Sequence, residues 1–256
     1  MRRMRLYLRL ARLVAVLAFG LTLASGLRAQ ALLGITPSRD TRQRLCRWFL
    51  KRLAQALPYR VRLTGDVPDR PMLWVANHLS WSDIPLLGML QPMTFLAKAE
   101  IRQWPIIGWL TAEAGTQFIQ RGSGDSAMLS QQLAGDLAQG RSLLIFPEGT
   151  TTDGTSLRTF HSRLLACAID TGVPVQPVAI RYLRNGVPDP IAPFIGDDDL
   201  VSHLLRLFRE DAAEVEIKLL PPLESQGTQR NPLARRCHTA IAEALYGEPM
   251  QVSVAA

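Results

Sequence analysis

Hydrophobic and polar positions follow two periods along this chain, and the changes from one to the other outline its elements. Leu13 to Leu27 runs without a charge between Arg12 and Arg28, as an apolar helix would. Leu45, Trp48, Phe49, Leu53 and Leu57 then recur at helical spacing among Arg42, Arg44, Arg47, Lys51 and Arg52, the pattern of an interfacial amphipathic helix. From there short strand patterns and helical patterns take turns. Tyr59 to Leu63 alternates as a first strand, and Met72 to Ala76 is the continuous apolar run of a strand buried on both faces. Ser82-Asp83-Ile84-Pro85 has the capping residue and early proline of a helix start, with the helix reaching about Leu90.

Further helices are predicted over residues 104–114, 125–139, 157–171, 202–209 and 232–246. Further strands are predicted over 116–119, 142–146, 173–182 and 214–219. Two prolines in the 173–182 segment point to an edge or bulged strand. This alternation predicts an α/β fold, a central mixed β-sheet flanked by helices, over residues 58–256. Residues 1–57 precede it as a pair of membrane-binding helices, one apolar and one amphipathic.

Charge sharpens the role of that first segment. Thirteen of the 29 Lys/Arg fall in the first 60 residues, together with one acid, Asp40. Nucleic acid and anionic lipid both attract such an arm, but a nucleic-acid tail would not carry Val14, Val16, Leu17, Phe19, Leu21 and Leu23 with it. Arginines before an apolar helix fit the cytoplasmic flank of a membrane segment, so the expected location is the inner membrane with the site facing the cytoplasm. Fifteen uncharged residues fall short of the roughly 20 a clean span needs. A cleaved leader is the rival reading, with small residues at Ala24-Ser25-Gly26 and Ala29-Gln30-Ala31. The charge pattern favours a retained anchor. Cys46, Cys167 and Cys237 lack metal-ligand spacing and fit a reducing compartment, and no metal is expected.

The chemistry centres on Asn77-His78-Leu79-Ser80-Trp81-Ser82-Asp83. Five residues apart on one helix, His78 and Asp83 would point about 140° away from each other. They meet only if His78 leaves a strand end and Asp83 opens the next helix across a tight bend, which is the arrangement the pattern predicts. One ring nitrogen would then be held by the carboxylate and the other left for a substrate hydroxyl. Taken alone, such a pair is more often a structural turn bond. An arginine following an apolar strand, Arg121, suits an anion. Glu148 follows a buried strand, at a sheet edge where α/β proteins place sites.

Four blocks in order give the chain a resemblance: residues 77–83, Gly115-Thr116-Gln117-Phe118-Ile119-Gln120-Arg121, Phe146-Pro147-Glu148-Gly149-Thr150 and Val173-Pro174-Val175-Gln176-Pro177. Over about residues 60–220 the sequence resembles the glycerolipid acyltransferase family, whose bacterial prototype is 1-acylglycerol-3-phosphate acyltransferase. The resemblance implies a glycerol-3-phosphate acyltransferase-like fold. It implies His78 as base for a lysolipid hydroxyl, Asp83 as the residue orienting it, and acyl-CoA or acyl carrier protein as donor, with no other cofactor. It makes Arg121 a phosphate contact, with Gly115 and Phe118 shaping the approach. Glu148 becomes an acceptor contact within Phe146, Pro147, Gly149 and Thr150, and Pro174 shapes a pocket wall.

Departures qualify the match. Phe160-His161-Ser162-Arg163 stands where the family has Phe, a basic residue, any residue and Gly, and Thr151-Thr152-Asp153-Gly154 replaces the prototype's Thr-Arg-Ser continuation. The expected reaction is acylation of lysophosphatidate, with lyso-ornithine lipid as the alternative acceptor. An exported lipid-binding protein without transferase activity is the reading of another class. An esterase lacks support, because no Gly-x-Ser-x-Gly nucleophile elbow is present.

Overall fold

A computed structural model describes residues 2–119 and 126–247. Two helices come first, α1 (Arg2–Leu32) and α2 (Arg39–Ala56), followed by β1 (Tyr59–Thr64), β2 (Leu73–Ala76) and α3 (Asp83–Gly88). Next are β3 (Met93–Lys98), α4 (Ile107–Glu113), β4 (Gln117–Ile119), α5 (Ser126–Ala138) and β5 (Ser142–Ile145). The remainder is α6 (Ala166–Thr171), β6 (Val175–Arg184), the short β7 (Val187–Pro188), α7 (Leu200–Arg209), β8 (Ala213–Leu219) and α8 (Arg230–Tyr246).

Among the described residues the strands form one sheet in the order β1-β8-β6-β2-β5-β3-β4, with β7 paired to β6. β6, β2, β5, β3 and β4 are mutually parallel, and β8 meets β6 antiparallel, so the sheet is mixed as expected. The central strands β2 and β5 are buried at every position. Alternate side chains serve the two faces. Trp74 and Ala76 pack with Leu50 and Ala54 of α2 and with Leu86 and Leu87 of α3. Leu73 and Val75 pack with Leu133 and Leu137 of α5, Cys167 of α6, and Leu233 and Ile241 of α8. Burial pushes the Cys167 and Cys237 thiols up to about 12, which makes them packing groups rather than reactive ones.

Helix α1 lies along the domain. Leu6, Leu10, Leu13, Leu17, Gly20 and Ala24 recur every three or four residues on its inner side. Leu13 is buried with Leu207 and Phe208 of α7. A side chain at Gly20 would collide with the Phe49 ring of α2, and Phe19 meets Trp48 at a ring separation of 5.0 Å. Arg5 pairs with Asp211 near one end, and Arg28 reaches Glu113 at 3.5 Å near the other.

Two elements differ from the pattern expected. β3 was not predicted as a strand, although it pairs with β5 and β4. The helix expected over 157–171 begins only with a 3-10 turn at Ser162–Leu165 leading into α6. Upstream of it, the backbone amides of Arg158 and His161 bond outward to Glu148 and Pro147, so they cannot enter a helical ladder. Of the two readings expected for residues 173–182, edge or bulged, the bulged one holds, because β6 lies between β8 and β2. Its one proline, Pro177, is tolerated by a bulge. The pairs Val178↔Leu219 and Val175↔Leu223 are three residues apart in β6 and four apart in the opposite segment. The Pro177 carbonyl accepts the Leu220 amide there, so its missing donor falls on the bulge and not in the β2 ladder.

Candidate active site

The site forms where β2 ends before its neighbour does. Ala76 pairs with Val178, and β6 continues six residues further, to Arg184. That overhang floors the following loop. Asn77 copies a strand residue with its side chain: its amide donates to the Ile180 carbonyl at 2.9 Å and its Oδ1 accepts the Ile180 amide at 2.8 Å. The chain is pinned at the point where it leaves the sheet. Residues 78–82 then turn back into α3.

Asp83 closes that bend. Its Oδ2 accepts from Leu79 N at 2.8 Å and Ser80 N at 2.9 Å, and stands 2.8 Å from His78 Nδ1. A carboxylate oxygen supplied with three donors in a buried place is strongly held. Asp83 is fully buried, whereas the His78 side chain keeps 17 % exposure. Because the carboxylate only accepts, Nδ1 carries the proton and the lone pair lies on Nε2. The imidazole stacks on Phe146 with ring centroids 3.9 Å apart and planes 14° apart, which fixes its plane. The spacing His-x4-Asp therefore makes the bend and the histidine's tautomer with a single carboxylate.

The Phe146–Thr150 segment supports this loop. Glu148 is 4 % exposed, with Oε1 accepting from His78 N at 2.8 Å and Oε2 from Arg158 N at 3.0 Å. Burial pushes its carboxyl above the usual carboxylate range, while the amides of Arg158 and His78 and the His78 ring oppose that shift. Gly149 takes a φ of 69°, which lets the chain turn back under His78. The Pro147 carbonyl accepts the His161 amide at 2.9 Å, and Thr152 N donates to the His78 carbonyl at 2.9 Å. Phe194 joins both loops: its amide donates to the Leu79 carbonyl at 2.8 Å, and its carbonyl accepts from Thr151 Oγ1.

Other expected site residues lie elsewhere. Phe118 is on β4, three strands from β2 and so about 14 Å across the sheet. Its ring stacks under Arg102 at 5.7 Å. Gly115 precedes β4 with a φ of 82°. Pro174 forms no wall of this site. Its carbonyl accepts the Leu73 amide at the start of β2, the opposite end of the strand from His78. Arg121 lies outside the described residues.

Two contacts had no sequence signal. The Tyr182 hydroxyl, from the β6 overhang, meets Asp83 Oδ1 at 2.5 Å and Ser82 Oγ at 2.9 Å. Ser82, expected as a helix cap, makes no side-chain cap bond and spends its hydroxyl on Tyr182. His203 is fully buried, with Nδ1 accepting from the Trp81 indole at 3.0 Å and Nε2 facing the Ile191 carbonyl at 3.0 Å. It props the His78–Asp83 loop from α7.

Comparison with known proteins identifies the family. Residues 59–181 match the family model described as Acyltransferase. The chain is 58% identical over 247 residues to the lyso-ornithine lipid O-acyltransferase of Pseudomonas aeruginosa, covering 96% of each chain. It is 34% identical over 155 residues to the 1-acyl-sn-glycerol-3-phosphate acyltransferase of Neisseria meningitidis, covering 59% of this chain and 61% of that one. The crystal structure of the 1-acyl-sn-glycerophosphate (LPA) acyltransferase PlsC from Thermotoga maritima shares the fold, with a TM-score of 0.65 at 24% identity over 96% of both chains. With a matching fold and a relative of this identity along nearly its whole length, the chain belongs to the glycerolipid acyltransferase family.

Proposed function

We propose that this acyltransferase moves a fatty acyl group from the thioester of acyl-CoA or acyl carrier protein to the free hydroxyl of lyso-ornithine lipid. The observation that carries the chemistry is His78, whose Nδ1 is held by buried Asp83 while its ring stays open to solvent. Nε2 takes the proton of the acceptor hydroxyl as that oxygen attacks the thioester carbonyl carbon. The tetrahedral intermediate then collapses with cleavage of the C–S bond, and the departing thiolate takes the proton back from the imidazolium. Asp83 orients the ring and stabilises its transient positive charge. No acyl-enzyme is required.

The acceptor reading rests on relatives. Lyso-ornithine lipid O-acyltransferases of Pseudomonas aeruginosa and Brucella abortus overlap this chain over 96% and 80% of its length, whereas the Neisseria phosphate-acceptor enzyme overlaps 59%. Lysophosphatidate is the second reading, supported by that shorter overlap.

Helix α1 is long and apolar enough to cross a membrane. We propose that it lies in the interface instead. It is about 46 Å long, yet the domain holds it near both ends, through Asp211 and Glu113, so both ends lie on one side of the bilayer. Its outer side presents Met4, Tyr7, Leu8, Val14 and Phe19. Acyl-CoA or acyl carrier protein as donor supports attachment at the cytoplasmic leaflet of the inner membrane.

The deciding experiment offers labelled acyl-CoA and acyl carrier protein thioester with a panel of lysolipids. Preferential acylation of lyso-ornithine lipid is expected. A kcat/KM for lysophosphatidate higher than for lyso-ornithine lipid would overturn the acceptor assignment.

A further inference from the structure

Tyr182 is an unusual residue for its position. It lies on an interior strand, 2 % exposed, in the same apolar cluster as Trp74, Ala192, Val215 and Ile217. A phenylalanine would fill that space as well. A hydroxyl there loses its hydration, and only fully made hydrogen bonds offset the loss.

Both of its bonds go to the loop that carries His78. The carboxylate of Asp83 has no proton to give, so the Tyr182 O–H donates to Oδ1. Having given its only proton, the phenol oxygen must accept from Ser82 Oγ. The chain therefore has one direction, from Ser82 to Tyr182 to Asp83. Asp83 thus receives three donors on Oδ2, one of them His78, and a single donor on Oδ1. Without Tyr182, Oδ1 would be a buried charged oxygen with no donor among the described residues.

We infer that Tyr182 is a positioning residue for catalysis: its hydroxyl, set on Asp83 from the side away from His78, fixes the rotation and the charge of that carboxylate while the imidazole gains and returns a proton. The inference rests on the proposed roles of His78 and Asp83. The bond is made by a side chain 99 residues along the chain, held in register by the β6–β8 ladder through the pair Tyr182↔Val215. The phenol itself stays protonated, since burial and then the Asp83 charge push its ionisation well above the usual tyrosine range. It therefore donates at every working pH and does not compete for the substrate proton.

The test is a double-mutant cycle in the full-length protein, with folding checked by thermal unfolding. Tyr182→Phe should lower kcat about tenfold, the worth of one charge-assisted hydrogen bond, with both KM values unchanged. It should also move the acid limb of kcat to higher pH, because the Asp83 carboxylate has lost a donor. In the Asp83→Asn background the same substitution should change kcat less than about twofold. Should Tyr182→Phe not fold, Ser82→Ala removes the donor to the phenol oxygen and should lower kcat by about threefold. If Asp83→Asn turns over like the wild type, the site reading fails and the inference with it. If Asp83→Asn is slow while Tyr182→Phe, or Ser82→Ala in its place, keeps the wild-type kcat and pH profile, the Tyr182 inference alone is overturned. Equal losses in both backgrounds also overturn it, because Tyr182 would then act through something other than Asp83.

Discussion

The Glu148 carboxylate accepts the backbone amide of His78 at 2.8 Å, so the Phe-Pro-Glu-Gly segment and the His78–Asp83 loop are joined by one buried side chain. Its second oxygen takes the Arg158 amide, which leaves the carboxylate engaged on both sides. The geometry gives Glu148 a supporting part in the site, whereas the family resemblance led us to expect an acceptor contact. Glu148→Gln replaces one acceptor oxygen with an amide donor facing an amide donor. The expected result is a loss of about 1–3 kcal/mol in unfolding free energy and at least a tenfold fall in kcat, with acceptor KM little changed. A rise in acceptor KM with kcat intact would restore the acceptor-contact role.

The same carboxylate predicts a pH dependence. Its ionisation is raised in the folded protein, chiefly by burial. A raised carboxyl pKa means the folded state favours the protonated form. This group's contribution to stability is therefore fullest below the unfolded value and is lost as pH rises through the folded value. Activity runs the other way, because accepting two amides requires the ionised form. The acid limb of kcat should accordingly contain a component above the ordinary glutamate range, and Glu148→Gln should lack it. Superimposable normalised acid limbs in the two proteins would refute this.

Much of the fold was legible because periodicity is local. The strand Met72 to Ala76, the bend after it and the start of α3 followed from residue order, and they predicted the meeting of His78 with Asp83 that the structure displays at 2.8 Å. What stayed hidden depends on distant partners. β3 is a strand because β5 and β4 flank it, and its Met-Thr-Phe-Leu-Ala-Lys sequence has no clear period of its own. The segment from Leu157 to His161 reads as helix, but Glu148 and Pro147 capture its amides. Pro174 looked like part of a pocket because its block matched, and only strand polarity reveals that it sits at the far end. Tyr182 lies 99 residues from Asp83 and carries no motif.

Substitutions at the histidine pair test the chemistry most directly. His78→Ala should abolish transfer with the fold intact, since it removes the imidazole nitrogen proposed to take the hydroxyl proton. Asp83→Asn should reduce kcat by about 10²–10⁴-fold, because an amide in its place brings no negative charge to the imidazolium and turns one of the two acceptor positions into a donor. Wild-type turnover in folded His78→Ala would end the general-base mechanism.

Arg121 separates the two acceptors. If it grips phosphate, Arg121→Ala should raise KM for lysophosphatidate about tenfold or more, the value of a charge-assisted contact. Lyso-ornithine lipid carries no phosphate, and its KM should stay within about twofold. Equal changes for both lipids would mean that Arg121 recognises something the two acceptors share.

The seating of α1 on α7 gives a prediction about stability. Phe208 and Leu207 are fully buried, and Leu13 of α1 closes over them. Phe208→Ala would leave a cavity beneath the helix and should cost about 3–5 kcal/mol in detergent-solubilised protein. Leu13→Ala should cost less, because its site is closer to the protein surface and can relax. Since the two side chains share one contact, the double variant should lose less than the sum of the single losses. An additive double variant, or a Phe208→Ala protein within about 1 kcal/mol of wild type, would mean that α1 does not rest on the domain. In that case α1 would not be tied down near both ends and would be free to cross the bilayer.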